Sequence, residues 1–140
     1  MTKGKLIVLN GGSSAGKTSL GSALQDALLP ETYLLLGIDV FWMALPPKEL
    51  DLDRVAADYY SWHMETHQHK KHFVIEPGPI LDRVMHARYL ATAAYLECGL
   101  NIIADEVLWK RAWHVLPSYA PSFRSLFIMN ARWCISCSIR

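Results

Sequence analysis

"LNGGSSAGKTSL", residues 9–20, has the make-up of a loop that holds a phosphate. Gly11, Gly16, Lys17 and Thr18 fill the pattern G-x-x-x-x-G-K-[ST], in which successive backbone N–H groups curl around an anion. Glycine permits the backbone angles this needs. Lys17 is then expected at the β- and γ-phosphates of a nucleotide, and the Thr18 hydroxyl on Mg²⁺. Context supports the motif. Before it, "KLIVLN", residues 5–10, is a short apolar run of the kind a buried parallel strand needs. After it, "KTSLGSALQDALL" sets Leu20, Leu24 and Leu28 at helical spacing, with Pro30 as a stop. Strand, loop and helix stand in the required order, and the helix start adds the positive end of its dipole. The expected nucleotide-binding set is Gly11, Gly12, Ser13, Ser14, Ala15, Gly16, Lys17, Thr18 and Ser19, and a plain Gly/Ser turn is the reading set aside.

Working outward, 140 residues suffice for one domain with a single core. Half the residues are hydrophobic and a fifth charged, the balance of a globular chain. No apolar run reaches 18 residues, so no membrane span is expected, and the apolar stretch at the start is too short for a secretory signal. Three cysteines, Cys98, Cys134 and Cys137, make no disulfide framework, which fits a cytoplasmic protein. The net charge of +1 is uneven, since all 13 acids precede residue 107. The basic remainder reads either as a nucleic-acid or phosphate-binding tail or as charges too sparse to form a patch.

Alternation of strands and helices continues along the chain. "TYLLLGID", residues 32–39, reads as a second buried strand ending in an acid, and "FWMALPPKE" as a short apolar helical turn broken by Pro46 and Pro47. Residues 49–78 are mixed, with helical character around "DRVAADYYSWHMETHQHKK". Residues 79–99 form the clearest helix: Ile80, Val84, Ala87, Ala91 and Tyr95 share a face, Pro79 suits the first turn and Gly99 the C-terminal cap. "LNIIADE", residues 100–106, is a third strand closing on acids, and "SLFIMN", residues 125–130, a fourth. The expected fold is α/β, a three-layer sandwich with a parallel sheet covered on both faces.

In such a sheet ligands bind beyond the carboxyl ends of the strands, where the phosphate loop, Asp39 and Asp105/Glu106 all lie. Asp39 is placed to accept a proton from a hydroxyl that attacks the γ-phosphate, or else to cap the helix that follows. Asp105 closes an apolar strand as a Walker-B acid does and is expected to hold Mg²⁺ together with Thr18; Glu106 is a candidate to share that duty or to activate water. His63, His67, His69 and His72 lack the H-E-x-x-H arrangement and read as a solvated face. Cys134 and Cys137 form a lone C-x-x-C. Phe41, Trp42, Met43, Tyr59, Tyr60 and Trp62 suit an apolar substrate pocket or an ordinary core equally.

"IVLNGGSSAGKTSL", "LLLGIDVFWMALP", the helix before Gly99 and "GLNIIADEVLW" together resemble the chloramphenicol phosphotransferase-like family, small P-loop kinases related to shikimate and adenylate kinases. The resemblance covers roughly residues 5–110, loosely over 49–78, with 111–140 a divergent or truncated end of the single domain 1–140. It implies a P-loop NTPase fold with ATP and Mg²⁺ as cofactors, and transfer of the γ-phosphate to a small-molecule hydroxyl, chloramphenicol being the acceptor that can be named. It implies catalytic roles for Lys17 and for Asp39, which stands in the family's G-[IV]-D element as Gly37-Ile38-Asp39. The family also carries a further strand and an arginine-bearing lid, which this chain is expected to lack. The rival expectations are a nucleotide-binding remnant without efficient turnover and, more distantly, a nucleic-acid-binding module. No nucleic-acid or membrane partner is expected.

Overall fold

The computed structural model describes residues 2–51, 56–67, 70–107, 125–131 and 137–139. Its centre is a four-stranded sheet of β1 (Lys5–Gly11), β2 (Tyr33–Gly37), β5 (Asn101–Glu106) and β6 (Ser125–Ala131), in the order β2-β5-β1-β6 and parallel throughout. The apolar runs of β1 and β5 form strands buried on both faces, as parallel strands must be when helices cover each side. Leu6, Val8, Ile102 and Ala104 pack on one face against Leu96 of helix α3 (Pro79–Glu97). Ile7, Leu9, Tyr33 and Ile103 pack on the other against Leu24 of helix α1 (Lys17–Ala27). The α/β sandwich expected from the sequence is therefore present.

The stretch read as helical, residues 53–71, differs. Residues 52–55, 68 and 69 lie outside the described set; the rest forms a hairpin of β3 (Tyr60–His67) and β4 (Lys70–Pro77), antiparallel from Tyr60↔Pro77 to His67↔Lys70. A short strand β7 (Cys137–Ile139) runs parallel beside β4. Tyr, Trp, Thr, Val and Ile favour a pleated, half-buried surface, and tertiary packing settles a pattern that local spacing leaves ambiguous. Tyr60 and Val74 are buried, whereas Ser61 and Lys71 face water. His63 and His67 thus sit on a strand, with His63 Nε2 3.0 Å from Glu65 Oε1, and no metal-binding cluster exists among the described residues. His69 and Cys134 fall outside them.

Two smaller shifts matter for the site. β2 ends at Gly37, and the chain turns at once into α2 (Ile38–Trp42), followed by a 3-10 turn, Pro47–Glu49. In α3 the buried stripe is Leu81, Met85, Arg88 and Leu96, rotated from the expected face; Tyr95 is exposed. Leu81 and Met85 join Leu45 and Tyr60 in a third cluster that ties α2, α3 and the hairpin together. No described helix is long and apolar enough to cross a membrane.

Candidate active site

Between β1 and α1 the chain makes the tight loop that the motif requires. Gly16 has φ 77°, and Ser14, though not glycine, also lies in the left-handed region at φ 61°. That conformation costs a side-chain-bearing residue about 1–2 kcal/mol, and such strain collects where a loop is shaped for a ligand. No side-chain hydrogen bond caps the start of α1 and no acid occupies its first turn, so the helix's leading N–H groups are open to an anion.

Lys17 is 8% exposed, and its ammonium donates to the Gly12 carbonyl at 2.8 Å. It also stands 3.5 Å from Asp105 Oδ1, an ion pair sheltered on both sides. The Thr18 hydroxyl donates to Asp105 Oδ2 at 2.6 Å. One carboxylate at the end of β5 therefore engages both functional side chains of the loop. Gly37, at the end of β2, stands beside Asp105, and a Cβ there would come within 3.1 Å of Asp105 Cβ. A hydroxyl and a carboxylate in contact are hard oxygen donors of the kind Mg²⁺ takes, so these residues fit the ion.

Asp39 occupies the second position of α2, past an N-cap that is Gly37. It is not the capping residue, and its exposed carboxylate has no hydrogen-bond partner among the described residues. A cavity of about 430 Å³ opens over the loop and is lined by Ser13, Ser14, Ala15, Gly16, Lys17, Thr18, Ser19, Asp39 and Asp105. Ile38, Trp42, Ile75 and Val107 supply its apolar wall. Gly11 and Gly12 belong to the strand end and loop behind that lining. Of the large apolar candidates, Tyr60 is core, Met43 and Trp62 are exposed, and Trp42 faces the cavity with its ring 5.4 Å from that of Tyr60.

Glu106 does not join Asp105. Neighbouring strand residues point to opposite faces, so Glu106 turns toward α3, where it is 5% exposed and meets Arg88 Nη1 at 2.5 Å. Burial pushes its carboxyl above the usual range, and the Arg88 guanidinium opposes that shift. Arg88 was invisible to motif reading. Its signal is the apolar stripe itself, since the spacing of Leu81 and Met85 puts the arginine on the buried line. Ile75 was equally hidden, because it lies in the stretch 49–78 whose pattern reads as mixed.

Compared with known proteins, residues 4–128 match the model of the chloramphenicol phosphotransferase-like protein family. Two relatives from two strains of Mycobacterium tuberculosis, each described as a "Putative O-phosphotransferase", are 55% identical over 116 residues, 82% of this chain and 51% of theirs. The chain thus spans about half the length of the curated relatives it matches.

Proposed function

The chain belongs to the chloramphenicol phosphotransferase-like family, and from that premise we propose that it serves an ATP-dependent O-phosphotransferase acting on a small-molecule alcohol. The observation that carries the reading is the convergence of Lys17 and Thr18 on Asp105 in a cavity that Asp39 also lines. The loop N–H groups and Lys17 bind the β- and γ-phosphates of ATP. Thr18 and Asp105 would hold Mg²⁺, which would supply neutralisation of the phosphate charge. Asp39 orients the acceptor hydroxyl and takes its proton; the hydroxyl oxygen forms a bond to the γ-phosphorus while the bond to the β-bridging oxygen breaks and ADP leaves with that electron pair. Because the transferring group needs little covalent help, placement and electrostatics supply most of the rate.

The apolar wall of Ile38, Trp42, Ile75 and Val107 beside Asp39 suits an acceptor that carries its hydroxyl on an apolar body. Chloramphenicol is the named candidate, and an endogenous metabolite of similar character is an equal one. Isothermal titration with ATP and Mg²⁺, followed by an ADP-release assay across a panel of primary alcohols, tests the proposal. Saturable binding with acceptor-dependent ADP release is expected. Binding without release on any acceptor would favour a nucleotide-holding protein instead, and no binding would remove both readings.

A further inference from the structure

The pair beneath the site carries an inference that rests on this nucleotide-binding reading. We propose that Arg88 is a positioning residue, which fixes Glu106 on the α3 face and thereby aims Asp105 at Thr18 and Lys17 on the opposite face.

The register of β5 makes the case. Its partnership with β2 stops at Gly37↔Asp105, while its partnership with β1 runs on to Asn10↔Glu106. At Glu106 the described strand is therefore held by β1 alone. Asp105 is the last residue with a neighbour on each side, and the one whose orientation the loop depends on. A strand end that rotates or slips by one residue exchanges the faces of adjacent side chains. Here that would put Glu106 at the loop and Asp105 beneath the sheet. The Arg88–Glu106 contact opposes this from below.

Stability alone does not account for the pair. Arg88 is 2% exposed, and its Nε and Nη2 have no hydrogen-bond partner among the described residues. A buried ion pair with unsatisfied donors is a poor stabiliser, and apolar residues of similar volume often hold a fold as well or better. What such a pair does supply is a definite arrangement. The guanidinium lies 4.5 Å over the Tyr89 ring, a second contact on a group already pinned by Glu106. The charges around the end of β5 also alternate across the sheet. Lys17 faces Asp105 above and Arg88 faces Glu106 below, so each carboxylate has its own cation. Without Arg88, Glu106 would be left as a buried competitor for Lys17.

The decisive comparison uses Arg88→Met/Glu106→Leu, which removes both charges and avoids leaving one buried alone. ATP affinity is measured by titration with and without Mg²⁺, together with thermal unfolding, for this variant, for Asp105→Ala and for the three substitutions combined. The expected result is a paired variant that melts close to wild type and loses about tenfold in Mg²⁺-dependent affinity, as Asp105→Ala does. The combined variant then loses no more than Asp105→Ala alone, because both lesions act through one carboxylate. Arg88→Lys with Glu106 intact retains part of the effect and guards against misfolding of the paired variant. Wild-type affinity in the paired variant, or losses that multiply in the combined one, would overturn the positioning role. A wild-type chain that binds no ATP would overturn that role and the nucleotide reading together.

Discussion

Lys17 shows how much one side chain in this fold is asked to do. Its ammonium lies against the Gly12 carbonyl at 2.8 Å and within ion-pair distance of Asp105, both contacts in a largely buried setting. A phosphate group would offer stronger partners than the carbonyl, since charge-assisted bonds exceed neutral ones. Lys17→Ala should therefore lower ATP affinity about ten- to hundredfold, the range for losing a hydrogen bond to a charged group, and turnover with it. Titration reads the first and ADP release the second; unchanged binding would refute the phosphate-loop assignment. Asp39 is the contrasting case, because its carboxylate has no partner among the described residues that a substitution would orphan. Asp39→Asn should leave ATP affinity within a few fold and slow transfer by roughly 10²–10⁴, as for a positioned base. A variant with near wild-type turnover would reduce Asp39 to a cavity residue.

At the scale of elements, the hairpin and α3 meet at a joint that the sequence only hints at. Gly78 N donates to the Tyr59 carbonyl and Ile80 N to the Asp58 carbonyl, each at 2.8 Å, which staples the start of α3 to the turn before β3. A Cβ at Gly78 would lie 2.2 Å from the Ala57 carbonyl oxygen, and the next two neighbours, the Asp58 carbonyl carbon and oxygen at 2.6 Å, are backbone as well. Gly78→Ala should cost about 1–3 kcal/mol, the usual cost of overpacking, read from the midpoint of urea unfolding. A loss below about 0.5 kcal/mol, the level of an ordinary surface change, would mean the joint is slack. Legibility follows the same divide. β1, β2, β5 and β6 were readable because unbroken apolar runs such as "LIVL" and "NIIA" have one use in an α/β chain. The loop was readable because its glycines and Lys17 answer a single chemical demand. The hairpin was not, because Tyr60, Trp62 and Met64 alternate with polar residues in a stretch whose spacing also suits a helix. Glu106 was misplaced for a similar reason: sequence puts it beside Asp105, and only the pleat sends it to the far face.

Across the whole molecule, the three apolar clusters of the described residues divide the work. One lies between the central sheet and α3, one between the sheet and α1, and the third joins α2, α3 and the hairpin. Only the third includes cavity-wall residues, since Ile38, Trp42 and Ile75 pack against Leu45, Tyr60, Leu81 and Met85. Leu96 and Leu81 are each 1% exposed and sit on the same helix, but in different clusters. Either one changed to Ala should destabilise the fold by about 2–5 kcal/mol, through lost transfer energy and the cavity left behind. Their effects on ligands should part. With Leu96→Ala the wall is untouched, so the stabilisation by saturating ATP and Mg²⁺, about 2.7 kcal/mol at a hundredfold excess over Kd, should be retained on a lowered baseline. With Leu81→Ala the support of Trp42 and Ile75 loosens while the phosphate loop, packed on the α1 side, does not. ATP stabilisation should again persist, but the KM for an alcohol acceptor should rise several-fold, since a misplacement of about 1 Å is enough to impair a reacting pair. Thermal unfolding with and without nucleotide, set beside acceptor titrations, separates the two variants. Equal acceptor KM values in both would mean that the third cluster holds the fold together without shaping the pocket.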